Sequence, residues 1–317
     1  MTAATTGAAA GESTATEDRR VALAVDVGGT KLEAALVRAD GTVVDGTRSR
    51  RPTGPDATFD SLRTAIGEVV AFALAGRASE DELVGAGIGS AGPVDREQGA
   101  IVPVNMPAAR GFGLRDAVRS AAEAAHGAPV ETVLAHDGGC LALAEARYGA
   151  TRGAAASLSI VVSTGVGGGF VVDGHYLPGS SGNAGHLGQV HATPELTVEQ
   201  VASGPASVAW ARTQGWTGQQ GEDLARDAKA GDTVARAAIE RSARTVGAAL
   251  ADASTLVDLE VVAIGGGFSR VAEDYIDLVQ AALAESAQHD YSRRTRVVRS
   301  GLGDEGPLIG AAALVLQ

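Results

Sequence analysis

The feature that most restricts the fold is a unit that occurs twice. An apolar run ends in a polar residue and a glycine turn, and a second β-rich run follows at once. "AVDVGGTKLEAALV" starts at Ala24 and "VVSTGVGGGFVV" at Val161. A strand–turn–strand unit repeated this far along a chain predicts two similar α/β lobes facing a cleft. "FDSLRTAIGEVVAFALAG", "GLRDAVRSAAEAAHG", "CLALAEARYG" and "GPLIGAAALVLQ" read as helices, the first two stopping at glycine. "LVGAGIGSAGPVD", "VETVLAHDGG" and "LEVVAIGGGFS" read as strands running into turns, and "AIVPVNMP" as a short extended run. Asp40-Gly41 marks a hairpin, and two or three helices are expected between Thr197 and Asp258. Hairpins mixed with strand–helix alternation predict mixed sheets and argue against a purely parallel nucleotide-binding sheet.

Composition narrows the function classes. The 317 residues suit two domains. Aromatic residues make up only 3%, so Ala, Val, Leu and Ile must build the core. Glycine accounts for 43 residues, about twice the usual share of roughly 7%, which predicts many tight turns and close backbone approaches. The net charge of −12 disfavours nucleic acid and supplies no polybasic membrane patch. Cys140 is the only cysteine, which excludes an intramolecular disulfide and a cysteine-based zinc site and suits a cytoplasmic protein. Residues 1–19 carry no apolar signal core and read as a disordered tail. No apolar run approaches the roughly 18 residues of a membrane span.

Three glycine turns carry the candidate chemistry. In "DVGGTK", backbone N–H groups of Gly28, Gly29 and Thr30 can approach phosphate oxygens, and Asp26 suits Mg²⁺, directly or through water. The alternative is a plain glycine hairpin with an incidental aspartate. The pattern is neither a Walker A loop nor a G-x-G-x-x-G fingerprint. "STGVGGG" occupies the equivalent place in the second half, and "IGGG", residues 264–267, is either a turn beneath a nucleotide or a helix start. Asp137, at a strand tip before a helix, is either a base for phosphoryl transfer or an N-cap. "SGNAGHLGQVHA", residues 181–192, is a metal site, a ligand-reading loop or a surface loop.

With "VDVGGTKLEAALV", "GIGSAGPVD", "VNMP", "HDGGCLALAEARYG", "STGVGGGFVVDGHYLPGSSGNAGHLG", "EQVASGPA" and "VVAIGGG" in this order, the chain resembles the ROK family of sugar kinases from about residue 20 onward. The resemblance implies a two-lobed actin/hexokinase-like (RNase H-like) ATPase fold, closing over a sugar and ATP–Mg²⁺ and phosphorylating a sugar hydroxyl, typically O6. It implies a catalytic base at Asp137 and a metal-proximal aspartate at Asp26. The first phosphate turn falls on Gly28, Gly29, Thr30 and Lys31, and the second on Thr164, Gly165, Gly167 and Gly168. The adenosine turn falls on Gly265, Gly266 and Gly267, and sugar contacts on Asn105 and Glu199. The family's repressor branch carries an N-terminal winged-helix domain; a first strand near Val21 leaves no room for one, which favours the kinase branch. Dimers are common in the family, so a homodimer is an expectation of the resemblance alone.

Departures from the family pattern are as informative. Asn-Asp-Ala-Asn becomes His136-Asp137-Gly138-Gly139, and Gly-Glu-x-Gly-His becomes Gly185-His186-Leu187-Gly188-Gln189. The family's zinc-binding histidine and C-x-C-G-x-x-G-C segment are both missing, so no zinc is expected. His186 and His191 alone fall short of a tetrahedral set. The loop then reads as sugar-binding, with His186 and His136 as altered contacts that shift specificity toward a hexose, an amino sugar, an N-acylated hexosamine or a cyclitol. A non-catalytic sugar sensor is the competing reading, motivated by the altered loop. An ATPase of the chaperone or actin type would need inserted subdomains. Lobes are expected over 20–133, completed by helix 305–317, and over 134–304.

Overall fold

A computed structural model describes residues 18–104 and 106–316. The first lobe opens with β1 (Arg20–Val27), β2 (Lys31–Arg38) and β3 (Ser49–Pro52), followed by α1 (Phe59–Ala75) and β4 (Glu82–Ser90). A short ribbon of β5 (Val94–Asp95) and β6 (Ala100–Ile101) leads to α2 (Leu114–His126), β7 (Thr132–His136) and α3 (Asp137–Tyr148). The second lobe holds β8 (Ala156–Val162), β9 (Val166–Val172), β10 (His175–Tyr176), α4 (Val198–Ala202), α5 (Gly204–Thr213), α6 (Gly221–Lys229) and α7 (Thr233–Val257). It continues with β11 (Val261–Gly265), α8 (Tyr275–Ser286), α9 (Asp290–Arg293) and β12 (Arg296–Arg299), and α10 (Gly306–Ala313) follows.

The sequence duplication is a duplication of topology. The sheets run β3-β2-β1-β4-β7 and β10-β9-β8-β11-β12. In each, the repeated unit forms an antiparallel hairpin, β1–β2 or β8–β9, whose first strand pairs in parallel with the next. The Asp40-Gly41 turn forms as expected, with the Arg38 N–H donating to the Thr42 carbonyl at 2.9 Å. A single antiparallel bridge, Val37 to Val43, follows the turn, and the ladder with β2 resumes at Ser49–Pro52.

β1 is covered on both faces, and its alternation shows how. Leu23, Val25 and Val27 pack with Leu62, Ile66 and Val70 of α1. Ala22 and Ala24 face Leu308, Ala311 and Ala312 of α10. Small residues let α10 come close: a Cβ at Gly87 would lie 1.7 Å from the Ala311 carbonyl oxygen. Another at Gly310 would lie 1.7 Å from that of Cys140 on α3. β7 continues to His136 in the first sheet, so the expected boundary at 133 cuts a strand. Four helices, not two or three, lie between Thr197 and Asp258, because breaks after Ala202, Thr213 and Lys229 divide the run. Among the described residues, no helix is long and apolar enough to cross a membrane.

Candidate active site

The floor of the cleft is built where β1, β7 and α3 end or begin. Asp26 lies one residue before the end of β1, and β4 leaves it room: a Cβ at Gly89 would lie 3.4 Å from its Oδ1. Burial, then the charges of Asp137 and Glu33, push the Asp26 carboxyl up to about 7, against the pull of Lys31 and Arg48. Asp137 is the first residue of α3, not its cap. Burial raises its carboxyl, while the Gly138 N–H, donating at 2.7 Å, and His186 hold it down. The positive end of the helix favours the same anion. Two carboxyls with raised proton affinity thus share one wall.

His136 is the N-cap. Its Nδ1 accepts from the Gly139 N–H at 3.3 Å, which assigns the proton to Nε2, and that N–H donates to the Ala184 carbonyl at 2.9 Å. Burial, reinforced by His186, lowers the ring to about 4 against the Ala184 carbonyl, so it is neutral. The expectation that His136 reads substrate is therefore corrected: it is 2% exposed and both ring nitrogens are already used. His186, 5.0 Å away between ring centroids, is different. Its Nδ1–H donates to the Asn183 carbonyl at 2.9 Å, leaving Nε2 as an acceptor beside Gly92, where an added Cβ would lie 2.9 Å from it.

Glycines bring α3 onto the second sheet. A Cβ at Gly138 would lie 2.7 Å from the Gly168 carbonyl oxygen, and one at Gly169 would lie 2.7 Å from that of Gly138. Gly185, at φ +105°, sits on the same strand, with a Cβ position 2.2 Å from the Gly168 oxygen. Gly168, expected in the second phosphate turn, is instead committed to this packing. The turn proper is Ser163–Gly165, closed by a 2.9 Å bond from the Ser163 N–H to the Gly165 carbonyl. Glu199, expected at the sugar, supports that turn: Oε2 accepts from the Val166 N–H at 2.9 Å and Oε1 from Gln189 Nε2 at 3.3 Å.

The first turn is closed by the Gly28 N–H donating to the Lys31 carbonyl at 2.8 Å, with Gly29 and Thr30 at its tip. Lys31 is not free for a phosphate. Its Nζ lies 2.6 Å from Glu33, a fully buried carboxylate that also takes Arg48 at 2.9 Å and Arg50 at 2.6 Å. Burial alone would raise Glu33; the bonds from Arg48, Lys31 and Arg50 outweigh it and hold the carboxyl at about 2. This hub was missed from sequence. The available signal was one acid inside an apolar strand followed by Arg48 and Arg50 two residues apart, on one face of an edge strand.

Beyond the second turn opens a cleft of about 610 Å³, lined by Thr164, Pro205, Val208, Gly267, Phe268 and Val271 among others. Of the third glycine run only Gly267 lines it. Gly266, at φ +91°, packs on Val162, and Gly265 faces Ser300. Phe268 was also missed, being one aromatic among many turn residues. Asn105 lies outside the described residues. His191 is exposed, and among the described residues no group of three His, Cys, Asp or Glu side chains is placed to hold a metal ion.

Residues 22–317 match the ROK family. The chain belongs to the ROK family. The N-acetylmannosamine kinase of an Escherichia coli strain is 33% identical over 304 residues, covering 93% of this chain and 98% of that protein. A ROK hexokinase from Thermus thermophilus superposes with a TM-score of 0.80 at 28% identity, covering 93% and 97% of the two chains. A ROK glucokinase from Streptomyces griseus, solved with glucose and AMPPNP, gives 0.74 at 28% identity, covering 93% and 99%. The ROK chain has their two-lobed fold and is an ATP-dependent sugar kinase.

Proposed function

We propose that the acceptor of this ROK kinase is an N-acylated hexosamine, N-acetylmannosamine first, and that Asp137 is its general base. The observation that carries the reading is the pair of carboxyls, Asp26 and Asp137, on one wall of a cleft bounded by two backbone turns. Asp137, with a raised proton affinity, suits a group that takes a proton from an attacking hydroxyl. The Gly28–Thr30 and Ser163–Gly165 turns offer N–H groups to a triphosphate. Phe268, Val208 and Val271 offer apolar walls to a base, in a cleft of suitable size.

The residues present fit Mg²⁺. Asp26 is a buried carboxyl whose proton affinity is raised first by burial and then by the charges of Asp137 and Glu33, and a divalent cation would offset both. Mg²⁺ needs only one or two carboxylates when substrate phosphates complete its shell. When bound, it would neutralise charge on the transferring phosphoryl group. No residue set for zinc is proposed: Gln189 is spent on Glu199, and Ala192 and Thr193 close on Leu196 through backbone bonds.

The acceptor class rests on His186 and on the E. coli relative. His186 has Nδ1–H committed to the Asn183 carbonyl, which leaves Nε2 to meet an amide or hydroxyl group of the acceptor. The sensor reading gains no support from this site, whose base and phosphate turns are intact.

The test is a mass-spectrometric screen with ATP and Mg²⁺ against hexoses, hexosamines, N-acylated hexosamines and cyclitols. N-acetylmannosamine should give the highest kcat/KM, and a tenfold preference for glucose would overturn the acceptor. Asp137→Asn should lose about 10²–10⁴-fold in kcat, with the sugar Kd changed only a few-fold. Near wild-type turnover would remove Asp137 from its role.

A further inference from the structure

A second cavity of about 430 Å³ lies behind the acceptor loop, within the roughly 300–1,000 Å³ typical of small-molecule sites. Leu134, Leu143 and the Tyr176 ring give it an apolar wall; Arg96 and Arg147 give it a cationic rim, with His175 beside them. No Asp or Glu lines it, in a chain of net charge −12. Arg147 donates to the Leu316 carbonyl and meets no carboxylate among the described residues. Arg96 is exposed, and its guanidinium has no hydrogen-bond or ion-pair partner among them. The Tyr176 hydroxyl is buried against Gly139 without a partner.

Two guanidiniums with no Asp or Glu among the described lining residues suit a phosphate group, which Arg grips through paired N–H donors. Inorganic phosphate would leave the apolar wall and most of the volume unused; a sugar ring would fill both. The wall toward the acceptor site is one residue thick. Ala135 lines the cavity and His136 follows it. Gly182 lines it and Asn183 follows. The Asn183 amide accepts from the Val94 N–H and donates to the Val94 carbonyl, both at 2.8 Å, tying the acceptor loop to β5. Asn183 also holds His186 through its carbonyl. A ligand spanning Arg96 and Gly182 therefore bears on both ends of the Asn183–Val94 pair.

We propose that this cavity is a second binding site for a hexose phosphate, and that its occupancy changes the KM for the acceptor sugar without changing kcat. The choice of ligand rests on the phosphorylated product of the reaction proposed above, whereas the anion site stands on its own geometry. The full chain is saturated with AMPPNP and its best acceptor, which fills the active site, and titrated calorimetrically with glucose 6-phosphate, N-acetylmannosamine 6-phosphate and inorganic phosphate. The expected result is one further site per chain for a sugar phosphate, with inorganic phosphate at least tenfold weaker. Arg96→Glu, at an exposed and unpartnered side chain, should fold normally and lose at least tenfold in that affinity. In wild-type kinetics the ligand should shift the sugar KM at least threefold, and Arg96→Glu should reduce that shift to whatever direct product competition at the active site leaves. No heat from the saturated protein, an unchanged affinity in Arg96→Glu, or equal binding of inorganic phosphate would overturn the site. An unmoved KM at saturating ligand would overturn the coupling. Failure of the acceptor reading shows up separately, in the turnover screen.

Discussion

Asp26→Asn should stabilise the free protein at neutral pH while destroying its activity. The Asp26 carboxyl sits at about 7, against 3.8 in an open chain. The folded protein therefore keeps a proton that the unfolded chain releases. Stability from this group is fully present below about pH 4 and is lost as pH rises toward 7. Three units at about 1.36 kcal/mol each give a loss of about 4 kcal/mol across that window. The amide is nearly isosteric and cannot ionise, so the variant escapes the loss. The assay is urea unfolding of both proteins from pH 4 to 8, without nucleotide or divalent cation. The stability difference should grow in favour of Asp26→Asn up to about pH 7 and level off above it. A difference independent of pH would refute the reasoning, because nothing but this titration produces that shape. Strain kept for function at the cost of stability is common in active sites.

Two further outcomes follow from the packing and charge of the site. Gly185→Ala should cost about 1–3 kcal/mol, since φ is +105° and the new Cβ would lie 2.2 Å from the Gly168 oxygen. The readout is a lower urea midpoint together with a raised sugar KM. Glu33→Gln should cost about 1–3 kcal/mol, below the roughly 3–5 of a fully buried pair, because Lys31, Arg48 and Arg50 still reach water. Its carboxyl, held at about 2 against an ordinary 4.5, gives stability that is present above about pH 4.5 and lost as pH falls toward 2. Acid unfolding of Glu33→Gln should accordingly lack that component, and an unchanged acid transition would contradict it.

The fold was legible because its strongest signal was a repeat. Two glycine-ended hairpins are short-range features, and they predicted two equivalent lobes without any long-range contact. The ends of β1, β4 and β11 were also plain, since each apolar run stops at a polar or glycine residue. What the sequence hid were features set by distant chain. "STGVGGG" looks like one phosphate turn, yet a Cβ at Gly169 would meet Gly138 and Gly139 of α3, and one at Gly168 would meet Ser159 and Ile160 of β8. His136 looked like a ligand-reading imidazole because nothing local shows that Ala184, 48 residues on, takes its proton. Glu199 looked like a sugar contact and is engaged by Val166 and Gln189, across 33 and 10 residues. The turns of α4–α7 escaped for the opposite reason: their breaks are short, Ser203 alone between α4 and α5, within one long helical pattern.

The glycine contacts also decide which parts of the site are free to move. α3 carries Asp137 and is locked on two sides: Gly138 and Gly139 against β9, and the Cys140 carbonyl against Gly310 of α10. No side chain separates these backbones, so α3 cannot rotate without breaking packing that has no soft element. Glu145, fully buried further along α3, fixes the helix again by accepting from the N–H groups of Ala150, Gly301 and Leu302. The base is therefore stationary with respect to both sheets. The acceptor loop is joined to the first lobe by the Asn183–Val94 pair and to its own sheet by a 3.0 Å bond from the Gly168 N–H to the Gly185 carbonyl. Under the proposed function, adjustment to different sugars falls to that loop and its histidine. On that reading the loop can exchange its residues while Asp137 and the two glycine turns stay in place.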